Sequence, residues 1–230
     1  MNFLSLVFLW ACSEEPHSKE IPPVQIPLNG PPPASGYQKK YHFTQDMFFG
    51  RSHLFMLSLE KYKDKPDVHY LEIGVHEGRS FFWVLDNIMT HPSSSVTGID
   101  LFDVGEGNFK PSEQYGNTED YKQRYFKNVS LSGQKQRIHT HVGYSQDVLK
   151  TLKKNSYDVI YIDGCHTLEC AREDSKLSWL LLKKGGRILF DDYDKKDFSG
   201  VYTAVNELYQ RNRKEIRVVH NGWVMIFEKK

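Results

Sequence analysis

The segments Asp158-Val-Ile-Tyr-Ile-Asp163-Gly-Cys-His166 and Phe190-Asp191-Asp192-Tyr193 hold the side chains best suited to chemistry. In each, a short apolar run of strand character delivers acidic residues at its end. Carboxylates gathered in one crevice repel each other unless a cation or shared protons relieve them. Open parallel sheets bind their ligands at the carboxyl ends of strands, where these acids fall. The implied site is one for a hard metal ion and a base, with three carboxylates and the His166 imidazole at the strand ends. An enzyme is expected.

Composition sets the bounds. The chain has 230 residues, 39% hydrophobic and 26% charged, which suits one soluble domain with a sizeable core. Thirty basic against 29 acidic residues leave a net charge of +1. No basic stripe marks a nucleic-acid partner, so a small molecule is the expected one. Cys165 and Cys170 match no common zinc spacing and read as small reduced side chains.

The N-terminus reads differently. The apolar run Phe3 to Trp10, followed by Cys12 and a polar stretch, resembles a bacterial lipoprotein signal with Cys12 as the lipidated residue. It is too short to span a bilayer as a helix. A membrane partner is therefore expected only if Cys12 is lipidated. Residues 1–15 form this signal or apolar N-terminus. Residues 16–36, rich in proline, read as an extended linker. The catalytic domain is expected over 37–230.

The elements that must position the acids alternate along that domain. Phe48, Phe55, Leu59 and Tyr62 share a helical face, predicting a leading helix near 44–62. Val68 to Ile73 reads as a strand, and Phe81, Val84, Leu85 and Ile88 as the stripe of the next helix, closed by His91-Pro92. Ser95 to Asp100 is a second strand, followed by a loop near 104–117 long enough to be a lid and a helix near 118–129. Arg137 to Val142 and Tyr157 to Asp163 are further strands, with a short helix after Ser145 between them. A helix through Leu177, Leu180 and Leu181 stops at Lys183-Lys-Gly185-Gly186, before a strand from Arg187 to Asp192. Val201, Ala204, Val205 and Leu208 mark a last helix. Asn221-Gly222 then splits the strands Ile216 to His220 and Trp223 to Phe227, a strong hairpin signal. The fold class is α/β: a Rossmann-like, doubly wound, seven-stranded, mostly parallel sheet with an antiparallel C-terminal hairpin strand.

Leu71-Glu72-Ile-Gly74-Val-His76-Glu-Gly78-Arg-Ser80, then Gly98-Ile-Asp100, then the two acidic segments, resemble a class I S-adenosylmethionine-dependent methyltransferase. Ile-Asp-Gly-x-His, Leu-Leu-Lys-x-Gly-Gly and Phe-Asp-Asp-Tyr are similar to metal-dependent small-molecule O-methyltransferases of the macrocin group. Gly74 and Gly78 let the backbone turn from strand to helix and approach a cofactor without a clashing Cβ. A dinucleotide fingerprint would need glycine where His76 and Arg79 stand, which disfavours a nicotinamide enzyme.

The resemblance implies S-adenosylmethionine held by Glu72, Gly74, Gly78 and Ser80, with Asp100 accepting from the ribose hydroxyls. Gly143 and Ser145 would lie beside the adenine, although Ser145 also suits a helix N-cap. Asp163 would serve cofactor, metal and catalysis. Asp163, Asp191 and Asp192 would hold Mg²⁺, and His166 would remove the acceptor's proton. The acceptor would be a small hydroxylated molecule, sugar-like or another metabolite. Two other readings stand beside this one. One is a metal-dependent hydrolase or oxygenase, which would need no ribose carboxylate. The other is a catalytically silent tethered binding protein, favoured if Cys12 is lipidated, because the methyl donor is made in the cytosol.

Overall fold

A computed structural model describes residues 20–28, 40–44, 46, 48, 50–102, 118–193 and 196–230. Cys12 and the loop 104–117 lie outside these. Seven strands form one sheet: β1 (His69–Ile73), β2 (Ser95–Asp100), β3 (Ile138–Val142), β4 (Tyr157–Ile162), β5 (Leu182–Phe190), β6 (Ile216–His220) and β7 (Met225–Lys229). Their order is β3-β2-β1-β4-β5-β7-β6. The five strands from β3 to β5 pair in parallel, and β7 runs antiparallel to both β5 and β6. The doubly wound sheet and its antiparallel hairpin are as expected.

The two-residue side-chain alternation of a strand divides the core into two halves. Tyr70, Val159, Tyr161, Leu189 and Ile226 face one layer. Leu71, Ile73, Ile160, Ile162, Ile188 and Phe190 face the other. The first layer is built by α1 (Arg51–Leu59), α2 (Arg79–Asn87) and α3 (Thr118–Ser132). The second is built by α4 (Ser145–Thr151), α5 (Leu168–Leu181) and α6 (Ser199–Asn212). Both faces of the central strands are covered, which is why they read as largely apolar runs. Among the described residues no helix is long and apolar enough to cross a membrane.

Four boundaries differ from those expected. The leading helix starts at Arg51, because Gly50 takes a left-handed φ of 82° and breaks it from what precedes. Phe48, Phe55, Leu59 and Tyr62 are nevertheless all buried. Lys183 to Gly186 do not lie between a helix and a strand. α5 ends at Leu181, and β5 begins at once with an irregularity. Tyr157 pairs with Leu182 and Val159 with Arg187, so the extra residues bulge out, with Gly185 at a φ of 75°. β7 starts at Met225, leaving Trp223 in the turn and 56% exposed. Finally, residues 20–28 of the proline-rich stretch are extended but docked. Asn221 donates its backbone N–H to the Val24 carbonyl at 2.6 Å, Ile26 donates to His220 Nδ1 at 3.0 Å, and Ile21 is buried. Ile21 and Ile26 give this stretch the apolar contacts that its prolines alone would not.

Candidate active site

The sheet changes winding direction between β1 and β4, and the crevice at their carboxyl ends is where the acids meet. Gly74, directly after β1, has a φ of 85° and donates its N–H to the Ile99 carbonyl at 2.8 Å. Gly78, with a φ of 87°, directly precedes α2, and its missing Cβ leaves the room that the Phe82 ring occupies. Between them the chain folds around Asp100. The Asp100 carboxylate accepts from the backbone N–H of His76 and of Phe102, both at 2.8 Å. Asp100 is half-buried at the end of β2, and burial raises its pKa while these N–H groups lower it.

Glu72 is fully buried, its carboxyl enclosed by Tyr70 Oη and Ser80 Oγ, each at 2.5 Å. Among the described residues its side-chain hydrogen bonds come from Tyr70 and from Ser80, the latter in the first turn of α2. Burial pushes its pKa up to about 8, the two hydroxyl bonds pull it down, and the nearby Asp100 and Asp191 charges add to the rise. Glu72 therefore carries a proton at neutral pH. A raised folded-state value means stability that is complete below the usual 4.5 and lost as pH climbs through about 8. Glu72→Gln, which mimics the protonated form, is expected to flatten that decline. Thermal melts across this range check it, and an unchanged slope would show that Glu72 is ionised in the fold.

Gly143 donates its N–H to the Asp100 carbonyl at 3.0 Å, placing it beside β2. Ser145 differs from its reading as an N-cap. It is the first helical residue, preceded by Tyr144, and its hydroxyl donates to Asp174 Oδ1 on α5 at 2.7 Å. Burial raises Asp174 to about 7, opposed by that bond and by Gln146.

On the other side of the crevice, Asp163 follows β4, its N–H bonded to the Ile73 carbonyl at 2.9 Å. Tyr161 Oη donates to Asp163 Oδ2 at 3.1 Å. Burial, then the Asp191 charge, pushes the Asp163 carboxyl well above the usual range, while Arg51 acts in the opposite sense. Asp163, His166 and Asp192 each offer a ligand atom, all within 4.8 Å of one another. His166 Nε2 lies 3.2 Å from Asp192 Oδ2, and its ring rests on Phe198 with centroids 4.0 Å apart.

The expected grouping of Asp163, Asp191 and Asp192 is divided by a residue that sequence reasoning missed. Arg51, at the start of α1, donates from Nε to Asp191 Oδ1 at 2.9 Å, and its Nη2 lies 2.8 Å from Asp191 Oδ2. Burial alone would lower the guanidinium's pKa, but Asp191 lifts it, so Arg51 remains charged. The two partners are 140 residues apart, and no local pattern links them. Tyr193, directly after the two aspartates, is buried, with its ring stacked on Tyr202. Its N–H donates to the Trp223 carbonyl at 3.2 Å, which sets the exposed indole at this end of the sheet.

Strand order, glycine loop, the acid after β2 and the acids after β4 and β5 together define a class I S-adenosylmethionine-dependent methyltransferase. The chain belongs to the family described as "Methyltransferase domain", whose model matches residues 71–193. It is 28% identical over 178 residues to the uncharacterized protein R132 of Acanthamoeba polyphaga mimivirus, covering 75% of this chain and 74% of that one. Its fold is similar to an O-methyltransferase from Bacillus cereus solved with S-adenosylhomocysteine. That match has a TM-score of 0.52 and 16% identity, and covers 76% of this chain and 79% of that one. It is also similar to the O-methyltransferase TomG from Streptomyces achromogenes, solved with S-adenosylmethionine. There the TM-score is 0.52 and the identity 15%, with 77% and 78% of the two chains covered. CalS11, a TDP-rhamnose 3'-O-methyltransferase, matches with a TM-score of 0.51 and 17% identity over 78% of this chain and 80% of its own.

Proposed function

We propose that this methyltransferase transfers the methyl group of S-adenosylmethionine to a hydroxyl oxygen of a small, sugar-like or otherwise hydroxylated molecule. The convergence of Asp163, His166 and Asp192 at the strand ends, beside the glycine loop, carries the reading. Fold likeness to a TDP-rhamnose methyltransferase agrees with it.

The glycine loop and Asp100 bind the donor, Asp100 taking the two ribose hydroxyls as the loop's N–H groups fix its carboxylate. The acceptor enters from the side of His166. The acceptor oxygen attacks the methyl carbon, the carbon–sulfur bond breaks, and its electron pair stays on sulfur. His166 takes the hydroxyl proton. Asp192 and the Phe198 ring hold the imidazole in place for that step. Asp163 and Asp192 suit a divalent cation, which would make an acceptor hydroxyl easier to deprotonate. Their raised or crowded carboxylates are the kind that a cation relieves.

Calorimetric titration of S-adenosylmethionine into the full chain, with and without Mg²⁺, tests the donor half. Saturable binding is expected, weakened roughly 10- to 100-fold in Asp100→Ala, the scale of lost hydrogen bonds to a charged acceptor. A folded wild-type protein that binds no S-adenosylmethionine would sink the assignment.

A further inference from the structure

Two adjacent acids, Asp191 and Asp192, end β5, yet they meet different partners. Asp191 is buried, and each of its oxygens has a nitrogen of Arg51 against it, at 2.9 and 2.8 Å. Asp192 faces His166 at 3.2 Å and lies within the cluster that includes Asp163. Arg51 Nη2 is 3.9 Å from Asp192 Oδ1, so its charge also reaches the cluster without gripping it. Arg51 lies outside the stretch matched by the methyltransferase family, 71–193, on a helix whose Leu54, Phe55 and Leu59 pack into the first core layer.

From this geometry we infer that Arg51 is a positioning residue that withholds Asp191 from cation binding, leaving Asp163 and Asp192 as the carboxylate ligands. The inference rests on the cation part of the proposed function. A planar guanidinium matches a carboxylate in a two-pronged pair, and such a pair has no lone pair to spare for a metal in the same direction. A cation that took Asp191 would have to displace a half-buried guanidinium from its two-pronged carboxylate partner, which opposes that binding. Arg51 also adds one positive charge beside the carboxylates Asp163, Asp191 and Asp192. It relieves part of their repulsion when no cation is bound and moderates the affinity for one.

Mn²⁺, followed by electron paramagnetic resonance, is the probe, titrated into the wild-type full chain, Asp192→Asn, Arg51→Met, and the double variant Arg51→Met with Asp191→Asn. In Arg51→Met the positive charge is gone and Asp191 is released, so Mn²⁺ is expected to bind about tenfold more tightly, the scale of one unit charge at partly screened range. The double variant removes a neutral pair and keeps the fold free of an unpaired buried charge. Its affinity is expected within about threefold of wild type. Asp192→Asn is expected to weaken binding by more than about tenfold. A purely structural role for Arg51 would not make its loss tighten metal binding. If the double variant loses Mn²⁺ as Asp192→Asn does, Asp191 is a ligand and the inference is overturned. If Arg51→Met weakens binding while remaining folded, it is overturned likewise. If no protein in the series binds Mn²⁺ while S-adenosylmethionine still titrates, the cation reading itself fails and takes this inference with it.

Discussion

His166→Ala is expected to lower the rate of methyl transfer by roughly 10²–10⁴-fold while leaving S-adenosylmethionine affinity unchanged. The separation follows from placement. His166 sits after β4 on the acceptor side, its Nε2 on Asp192 and its ring on Phe198. Asp100, the acid proposed to take the donor's ribose, is at the end of β2, two strands away in the sheet. Removing the imidazole therefore takes away the proton's destination without disturbing the donor's contacts. Single-turnover transfer to an acceptor found by screening, together with calorimetry of the donor, separates the two effects. A variant that keeps its rate but binds the donor weakly would move His166 from base to cofactor contact.

Gly74→Ala is expected to cost about 2–5 kcal/mol of stability, combining a left-handed residue with a Cβ and overpacking against fixed backbone. A Cβ there would lie 1.9 Å from the Asp163 carbonyl oxygen, 2.7 Å from its carbonyl carbon and 3.0 Å from Gly164 Cα. None of these atoms is the end of a flexible side chain, so the loops after β1 and β4 must separate. Their separation would also move Asp163, and donor binding should fall with stability. Urea denaturation reads the first effect and donor calorimetry the second. A variant within about 0.5 kcal/mol of wild type would show that the two loops part easily.

The strands were legible because both faces of the sheet are covered, so that Tyr157–Ile162 and the end of β5 appear as largely apolar runs that stop at acids. The acids after β4 and β5 were legible for the same reason. Much else about the site was not. Nothing in Phe-Gly-Arg-Ser, the sequence around Arg51, shows that its guanidinium crosses 140 residues to meet Asp191. Two neighbouring aspartates look equivalent in sequence, and only the third dimension gives one to Arg51 and the other to His166. The Lys183 to Gly186 stretch has the composition of a helix stop. The ladder between β4 and β5 takes it up as a bulge instead, because Tyr157 already has Leu182 as its partner. Ser145 has the identity of a cap, but Tyr144 takes the N-cap position, and the Ser145 hydroxyl donates to buried Asp174 instead.

β7 lies between β5 and β6, and its Met225 pairs with Phe190, the residue immediately before the two aspartates. As the chain leaves the ribosome, β5 has β4 on one side and an open edge on the other until residues 225–229 have emerged. Ile188, Leu189 and Phe190 remain without their second neighbour for that interval, an exposed apolar edge of the kind that invites pairing with another chain. The contact of Asn221 with Val24, between residues far apart in sequence, can form only at the same late stage. Catalytic competence thus waits on the hairpin, which closes the sheet beside acids made earlier.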